Sequence, residues 1–216
     1  MYLLKEIKYL KQFYLDATFY IIPIVNIDGV SLVLNGLKNK RKTTKFLKTF
    51  NEKTDFSLCK SNANGVDINT NFNAFWGQGK SNVKVAGFSD FVGFSPNSEP
   101  ETQALIDFTS KINPDLTISY HAKGEVIYYD FIGLKKKFSK KQKAIAKIIS
   151  NHLKYKYEKA KNSTGGYKDY CLLNLGITSF TIEVGNDRFS HPFPNEELGI
   201  IFNQNKNLPL ILQRII

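Results

Sequence analysis

The sequence is poor in several residue types that usually announce a chemistry. It has two cysteines, Cys59 and Cys171, so one disulfide is the most it could form, and no cysteine pair has metal-ligand spacing. Two plain thiols in a reducing compartment are the simplest reading. Three histidines, His121, His152 and His191, leave little imidazole for any site. Arg41, Arg188 and Arg214 are the only arginines among 30 basic side chains. Nucleic-acid readers draw on arginine forks for base edges and phosphates, and with no nucleic-acid motif present that partner class is set aside. Long apolar runs are missing too. Ala17 to Ile27, the longest uncharged one, is about half of the ~20 residues a membrane-spanning helix needs, and Pro23 interrupts it. Lys5 and Glu6 fall inside what would be the apolar region of a secretion signal. As written the chain reads as cytoplasmic, and a preceding segment would leave an extracellular location open. Seven prolines and 14 glycines in an otherwise ordinary composition exclude collagenous and low-complexity chains.

What is present is a chain of 216 residues, 42% hydrophobic, long enough to bury a substantial core. No internal repeat and no long Gly/Ser/Pro linker divides it, so residues 1–216 are read as one domain. Thirty basic against 19 acidic residues give a formal charge of +11. That balance favours polyanions, wall polymers or acidic peptides as partners without choosing among them.

Apolar periodicity predicts an amphipathic first helix from Tyr2 to Tyr14. Phe19 to Val25 reads as a buried strand, closed by the turn signal Asn26-Ile-Asp-Gly29. A basic stretch, Lys38 to Lys48, leads into an Asn-rich region poor in strand signals that runs to about Asn97. Ser98-Glu-Pro-Glu101 has capping-box form, with Ser98 as the cap of a helix that Asn113-Pro114 ends. Leu116 to His121 and Val126 to Phe131 are strands. Ser139 to about Tyr157 is a basic helix, with Ile145, Ile148, Ile149 and Leu153 facing inward. A short helix from Tyr167 to Leu175, a strand from Ile177 to Val184 and a closing helix from Asn195 to about Leu212 complete the chain. This alternation predicts an α/β fold with helices on both faces of one sheet.

Two side chains stand out chemically. His121 ends an apolar strand, at the sheet edge where α/β ligand sites gather, and Gly124 follows closely, so its imidazole reads as a zinc ligand or, more simply, as a hydrogen-bonded buried residue. Glu183 ends the run Ser179-Phe-Thr-Ile, where a carboxylate costs free energy unless it is paired or hydrogen-bonded. Such a position often yields a general base, and a structural ion pair is the equally plain alternative. His152, on the Lys-rich helix, and His191, in a Pro-containing loop, are expected at the surface. Asn62 to Phe72 reads alone as a loop built on Asx turns.

Taken in order, six segments resemble the zinc carboxypeptidase family of the carboxypeptidase A type, above all its bacterial branch that cleaves γ-D-glutamyl–diamino acid bonds. They are Ile22-Pro-Ile-Val-Asn-Ile-Asp-Gly-Val30, Lys60-Ser-Asn-Ala-Asn-Gly-Val-Asp-Ile-Asn-Thr-Asn-Phe72, Ser98-Glu-Pro-Glu-Thr102, Tyr120-His-Ala-Lys-Gly-Glu-Val-Ile-Tyr128, Thr164-Gly-Gly-Tyr-Lys-Asp-Tyr170 and Phe180-Thr-Ile-Glu-Val-Gly185. Each is weak alone, and the collinear set spans roughly residues 20–200. The resemblance implies a three-layer α/β/α fold with a mixed central sheet, a zinc ion as cofactor, and a peptide or peptidoglycan stem peptide as substrate. His121 matches a zinc ligand. Glu183 matches the catalytic carboxylate that takes a proton from the attacking water and passes it to the leaving amine. Asn69 matches a residue holding the substrate's terminal carboxylate. Lys168 falls at the floor of the specificity pocket, where an ammonium suits the side-chain carboxylate of diaminopimelate.

Three departures accompany these matches. The family's His-x-x-Glu motif has no counterpart, because none of the three histidines is followed three residues later by Glu. Thr70 stands where the family clamps the substrate carboxylate with Arg, a loss of about 1.5–3 kcal/mol of binding. Lys161 occupies the aligned place of an expected tyrosine. Tyr157 and Tyr167 are the nearby phenols, and Tyr167 is carried with Lys168 as a substrate-binding position. The resulting expectation is an N-terminally truncated carboxypeptidase-like domain with little activity by itself. Such a truncation is expected to expose a sheet edge or apolar surface. The alternative is a non-catalytic module that keeps the fold and binds wall polymers or peptides through Lys38 to Lys48 and Lys135 to Lys147. A solvated helix face accounts for those runs equally simply.

Overall fold

The computed structural model describes residues 17–36 and 55–216. The expected first helix, Tyr2 to Tyr14, and the basic stretch Lys38 to Lys48 lie outside the described residues. In chain order the main elements are helices α1 (Ile27–Asn35) and α2 (Pro100–Ile112), strands β1 (Leu116–Ala122) and β2 (Val126–Tyr128), helix α3 (Lys136–Leu153) and strand β3 (Lys156–Glu158). Helix α4 (Tyr167–Tyr170) then runs on into a π turn (Cys171–Leu175), followed by strand β4 (Thr178–Val184) and helices α5 (Leu198–Asn205) and α6 (Leu208–Leu212). The described chain forms two compact units, one of residues 17–23, 115–160 and 178–216, the other of residues 24–36, 55–114 and 161–177.

The first unit is built on a mixed four-stranded sheet of order β1-β4-β2-β3. Strands β1 and β4 are parallel, β4 and β2 antiparallel, β2 and β3 parallel. Strand β4 has a neighbour on each side, and its first five residues, Thr-Ser-Phe-Thr-Ile, are all buried. That continuous burial explains why β4 reads as an apolar run with small hydroxyls and not as an in–out alternation. Helix α3 covers the sheet with Ile145, Ala146, Ile149 and Leu153, packed in one cluster with Ile127, Phe180, Ile182, Leu208 and Leu212. Truncating Ile149 or Phe180, both fully buried, to Ala would cost about 2–5 kcal/mol. The lysines of α3 lie on its exposed side.

Several expectations for this unit need correction. Helix α3 begins at Lys136 and ends at Leu153, with Lys154 left-handed at φ 63°. The residues expected to prolong it to Tyr157 instead pair with β2 as β3. Ile148 is 39% exposed and does not face inward. The second strand stops at Tyr128. The closing helix is divided into α5 and α6, the second starting next to Pro209, which removes a backbone donor. His152 is half-buried, and burial followed by the nearby Lys154 charge holds its imidazole below the usual value. The exposed position of His191 agrees with the sequence.

The stretch expected as a buried strand, Phe19 to Val25, forms no strand among the described residues. Tyr20, Ile22, Ile24 and Val25 are all exposed. Pro23 lacks the N–H a ladder needs. The following turn signal is the start of α1: the Asn26 side chain caps the helix by accepting the Gly29 N–H at 2.9 Å, and Asp28 suits the first turn.

In the second unit, the Asn-rich segment is a loop held from within. Asn62 Oδ1 accepts from the N–H groups of Asn64 and Val66, the expected Asx geometry. Its Nδ2 donates to Glu99 Oε2 at 2.7 Å. Helix α2 starts one residue later than its capping box predicts, with Glu99 at the cap and Pro100 first in the helix. Ser98 Oγ donates to Glu99 Oε1, while Glu101 Oε2 accepts from Asn62, so both members of the expected box bind elsewhere. Asn113, left-handed at φ 42°, ends α2 as expected. Neither half-buried Cys59 nor buried Cys171 is in a disulfide, and the Cys59 thiol donates to Ser61 O at 3.8 Å.

Candidate active site

The first unit brings together the two residues singled out by the sequence. In the parallel ladder of β1 and β4, His121 is the register partner of Glu183, and across the antiparallel ladder Glu183 also faces Val126. Both side chains are half-buried at the carboxyl ends of their strands. Parallel pairing makes this adjacency unavoidable: strands of equal direction present the same ends, and matched residues share a face.

The turns that leave the two strands are tied to each other. The Gly124 N–H donates to Gly185 O at 2.9 Å. Lys123 Nζ donates to Asp187 O at 2.9 Å and forms an ion pair with its carboxylate at 3.4 Å. Asn186 Nδ2 donates to Glu125 Oε2 at 2.9 Å. Gly185 has φ 78°, and a Cβ there would lie 2.5 Å from the Phe193 ring. Glycine is therefore required beside Glu183 both by backbone conformation and by space. Burial raises the Tyr128 phenol above its usual value, and the negative charges of Glu183, Glu158 and Asp187 add to that rise.

The second unit assembles the other sequence-predicted residues. Asp67 accepts the Asn69 N–H and opens a 3₁₀ turn, Ile68–Thr70. Asn69 Oδ1 accepts the Tyr167 N–H at 3.3 Å. The Thr70 hydroxyl donates to Asp67 O at 2.8 Å and to Phe91 O at 3.3 Å, so it is bound to backbone. Gly165 packs on the same turn, since a Cβ there would come within 2.5 Å of Thr70 O. Tyr167 shares a hydrogen bond of 2.6 Å with Thr109, and its ring lies 5.6 Å from Phe72.

Lys168 is buried and paired with the adjacent carboxylate of Asp169. Burial pushes the Asp169 carboxyl up, against the opposing pull of the Lys168 charge and the Gly166 N–H. The sequence reading missed Asp169 as that partner, although it is the next letter after Lys168. The Lys123–Asp187 and Glu125–Asn186 ties were also missed, having no periodic signature.

The family profile described as zinc carboxypeptidase matches residues 1–207. The chain belongs to the zinc carboxypeptidase family. It is 32% identical over 193 residues to gamma-D-glutamyl-L-diamino acid endopeptidase 1 of Lysinibacillus sphaericus, covering 88% of this chain and 48% of that protein. It is 30% identical over 195 residues to the Bacillus subtilis protein YqgT, covering 89% and 51%. The chain thus spans about half the length of these curated relatives. Among solved structures, bovine thrombin-activatable fibrinolysis inhibitor in complex with tick carboxypeptidase inhibitor superposes with a TM-score of 0.74 over 99% of this chain and 76% of that one. At 19% identity that likeness concerns the fold, and it agrees with the mixed α/β architecture expected from the sequence.

A zinc site of this family takes three protein donors. Among the described residues no group of three or more His, Cys, Asp and Glu side chains is arranged to hold a metal ion. His121 is the only imidazole beside Glu183, and His152 lies on α3 while His191 follows β4 in an exposed loop. The donors present in the described residues do not fit a zinc centre. His121 alone would contribute one nitrogen to such a centre, beside Glu183 in the β1–β4 ladder.

Proposed function

We propose that this chain supplies proton-transferring and substrate-holding residues of a peptidase directed at γ-D-glutamyl–diamino acid peptides of peptidoglycan. The register pairing of His121 with Glu183 carries this reading. Support for the substrate comes from the Lysinibacillus relative, whose name states that bond. Glu183 acts as general base: it accepts a proton from the water that adds to the γ-carbonyl carbon and delivers it to the amine released when the amide C–N bond breaks. His121 serves as a single donor toward a metal ion. Asn69, whose Oδ1 is held by the Tyr167 N–H, offers its Nδ2–H groups to the terminal carboxylate of the substrate.

Lys168 reaches a diamino acid carboxylate only in company with Asp169, which already neutralises it. Its contribution is therefore orientation more than net charge. With one imidazole beside Glu183 and no three-donor group among the described residues, the chain binds the peptide without turning it over. Calorimetric titration with γ-D-glutamyl-meso-diaminopimelate, beside a hydrolysis assay in zinc, tests this. Saturable binding weakened by Asn69→Ala is expected, and absence of binding contradicts the substrate assignment.

A further inference from the structure

Outside these residues, the second unit contains a cleft of about 490 Å³ lined by Asn73, Phe75, Trp76, Gln78, Leu173 and Asn174, with Pro96 at its edge. The depression is open to solvent, with Asn73, Gln78, Pro96, Leu173 and Asn174 exposed and Phe75 and Trp76 half-buried, and it combines aromatic surface with a few polar groups as ligand sites do. In a chain of charge +11, none of these side chains is charged. The polar members are all primary amides, each offering two donors and an acceptor. The side chains of Asn73, Gln78 and Asn174 are exposed, so their amides are open to a ligand.

The cleft is built on irregular backbone held firmly in place. Phe75 has φ 51°, a left-handed conformation that large side chains rarely adopt and that persists only where the surroundings impose it. Its neighbours supply that constraint. The Asn73 N–H donates to Asn97 Oδ1, the Gly165 N–H to Ala74 O, and Trp76 Nε1 to Val92 O at 2.8 Å. Two further lining residues, Leu173 and Asn174, sit on the π turn that follows α4, a form often found at functional sites.

We infer that this cleft binds a neutral sugar chain of N-acetylated hexosamine units. The C–H face of a pyranose ring packs on aromatic surface such as Phe75 and Trp76. The acetamido N–H and C=O find an acceptor and a donor in Asn73, Gln78 or Asn174. The choice of an N-acetylated sugar rests on the proposed peptidoglycan substrate, whose stem peptides are carried on such sugars. A charged peptide finds no counter-charge here.

Trp76 is the only tryptophan in the chain, so its fluorescence reports this cleft directly. Titration of the purified chain with a chitooligosaccharide is expected to give a saturable change in Trp76 emission, with a weaker response to a cellooligosaccharide. Phe75→Ala is expected to lower the affinity at least tenfold, and the exposed variant Asn174→Ala, which leaves the fold alone, several-fold. No emission change at millimolar sugar, or equal response to both sugars, overturns the inference. Displacement of the sugar by a free γ-D-glutamyl peptide would overturn it as well, making the cleft a peptide site. Because the sugar is titrated without peptide, failure here leaves the calorimetric test of the peptidase reading untouched.

Discussion

Glu183 and His121 are each the last residue but one of their strands, and they stand opposite each other in the β1–β4 ladder. Chemistry that needs an acid–base carboxylate beside a nitrogen donor finds both there without any loop having to fold over. A chimera that adds a His-x-x-Glu-bearing segment to this chain is expected to hydrolyse γ-D-glutamyl–diaminopimelate. In it, Glu183→Gln should lower kcat about 100- to 10,000-fold, the usual worth of a positioned general base. Full turnover by Glu183→Gln would remove Glu183 from the mechanism.

Thr70 gives its hydroxyl to Asp67 O and Phe91 O and presents no positive charge to a substrate carboxylate. Thr70→Arg is expected to tighten binding of a peptide with a free terminal carboxylate by roughly tenfold or more, the range of a charge-assisted pair. The gain should vanish for the corresponding peptide amide. Calorimetry with both ligands checks the prediction, and equal affinities would contradict it.

The pH dependence of stability should show the buried carboxylate of Asp130. Burial works against its charge, but Lys159, the Ser139 hydroxyl and the Phe131 N–H outweigh that and hold it below its ordinary value of 3.8. A depressed folded-state pKa means stability that is present above pH ~4 and lost as pH falls through the folded value. Asp130→Asn is therefore expected to cost about 1–3 kcal/mol near pH 6. That difference should shrink as pH falls below ~4. Asp67 and Asp169, both raised by burial, act with the opposite sign. They are common to both proteins and cancel in the comparison. Urea unfolding of both proteins from pH 6 down to about 2.5 measures the difference, and a gap independent of pH would contradict it.

Gly185→Ala meets two obstacles at once, a positive φ and the Phe193 ring. It is expected to destabilise the protein by about 1–3 kcal/mol. Gly176→Ala meets an ordinary left-handed backbone, φ 67° and ψ 16°, with no atom within 4 Å, so it should cost only about 1 kcal/mol. Thermal unfolding of the two variants separates conformational strain from crowding, and equal losses would count against the close packing of Phe193.

The centre of the candidate site was legible because apolar strands that end in a single polar residue are conspicuous. His121 and Glu183 were found in that way, and the β4 run gave its own boundaries within one residue. Strand β3 was invisible. Lys156-Tyr-Glu158 carries no strand pattern of its own, and only pairing with β2 makes it extended. Helix α1 was mistaken for a turn because Asn-Ile-Asp-Gly serves both: Asn26 and Asp28 that favour a turn also favour a helix start. The Ser98 capping box failed because buried Glu99 and half-buried Glu101 are drawn to Asn62 and Asn64 across a long sequence separation. The Lys168–Asp169 pair was missed for a different reason, since burial of a charge depends on packing that no local spacing encodes.

Zinc content tests the account most directly. The purified 216-residue chain, dialysed against zinc and washed, is expected to retain well below one ion per molecule and to leave γ-D-glutamyl–diaminopimelate intact. One zinc per chain, lost in His121→Ala and accompanied by hydrolysis, would show that the donor set is complete and contradict the proposal.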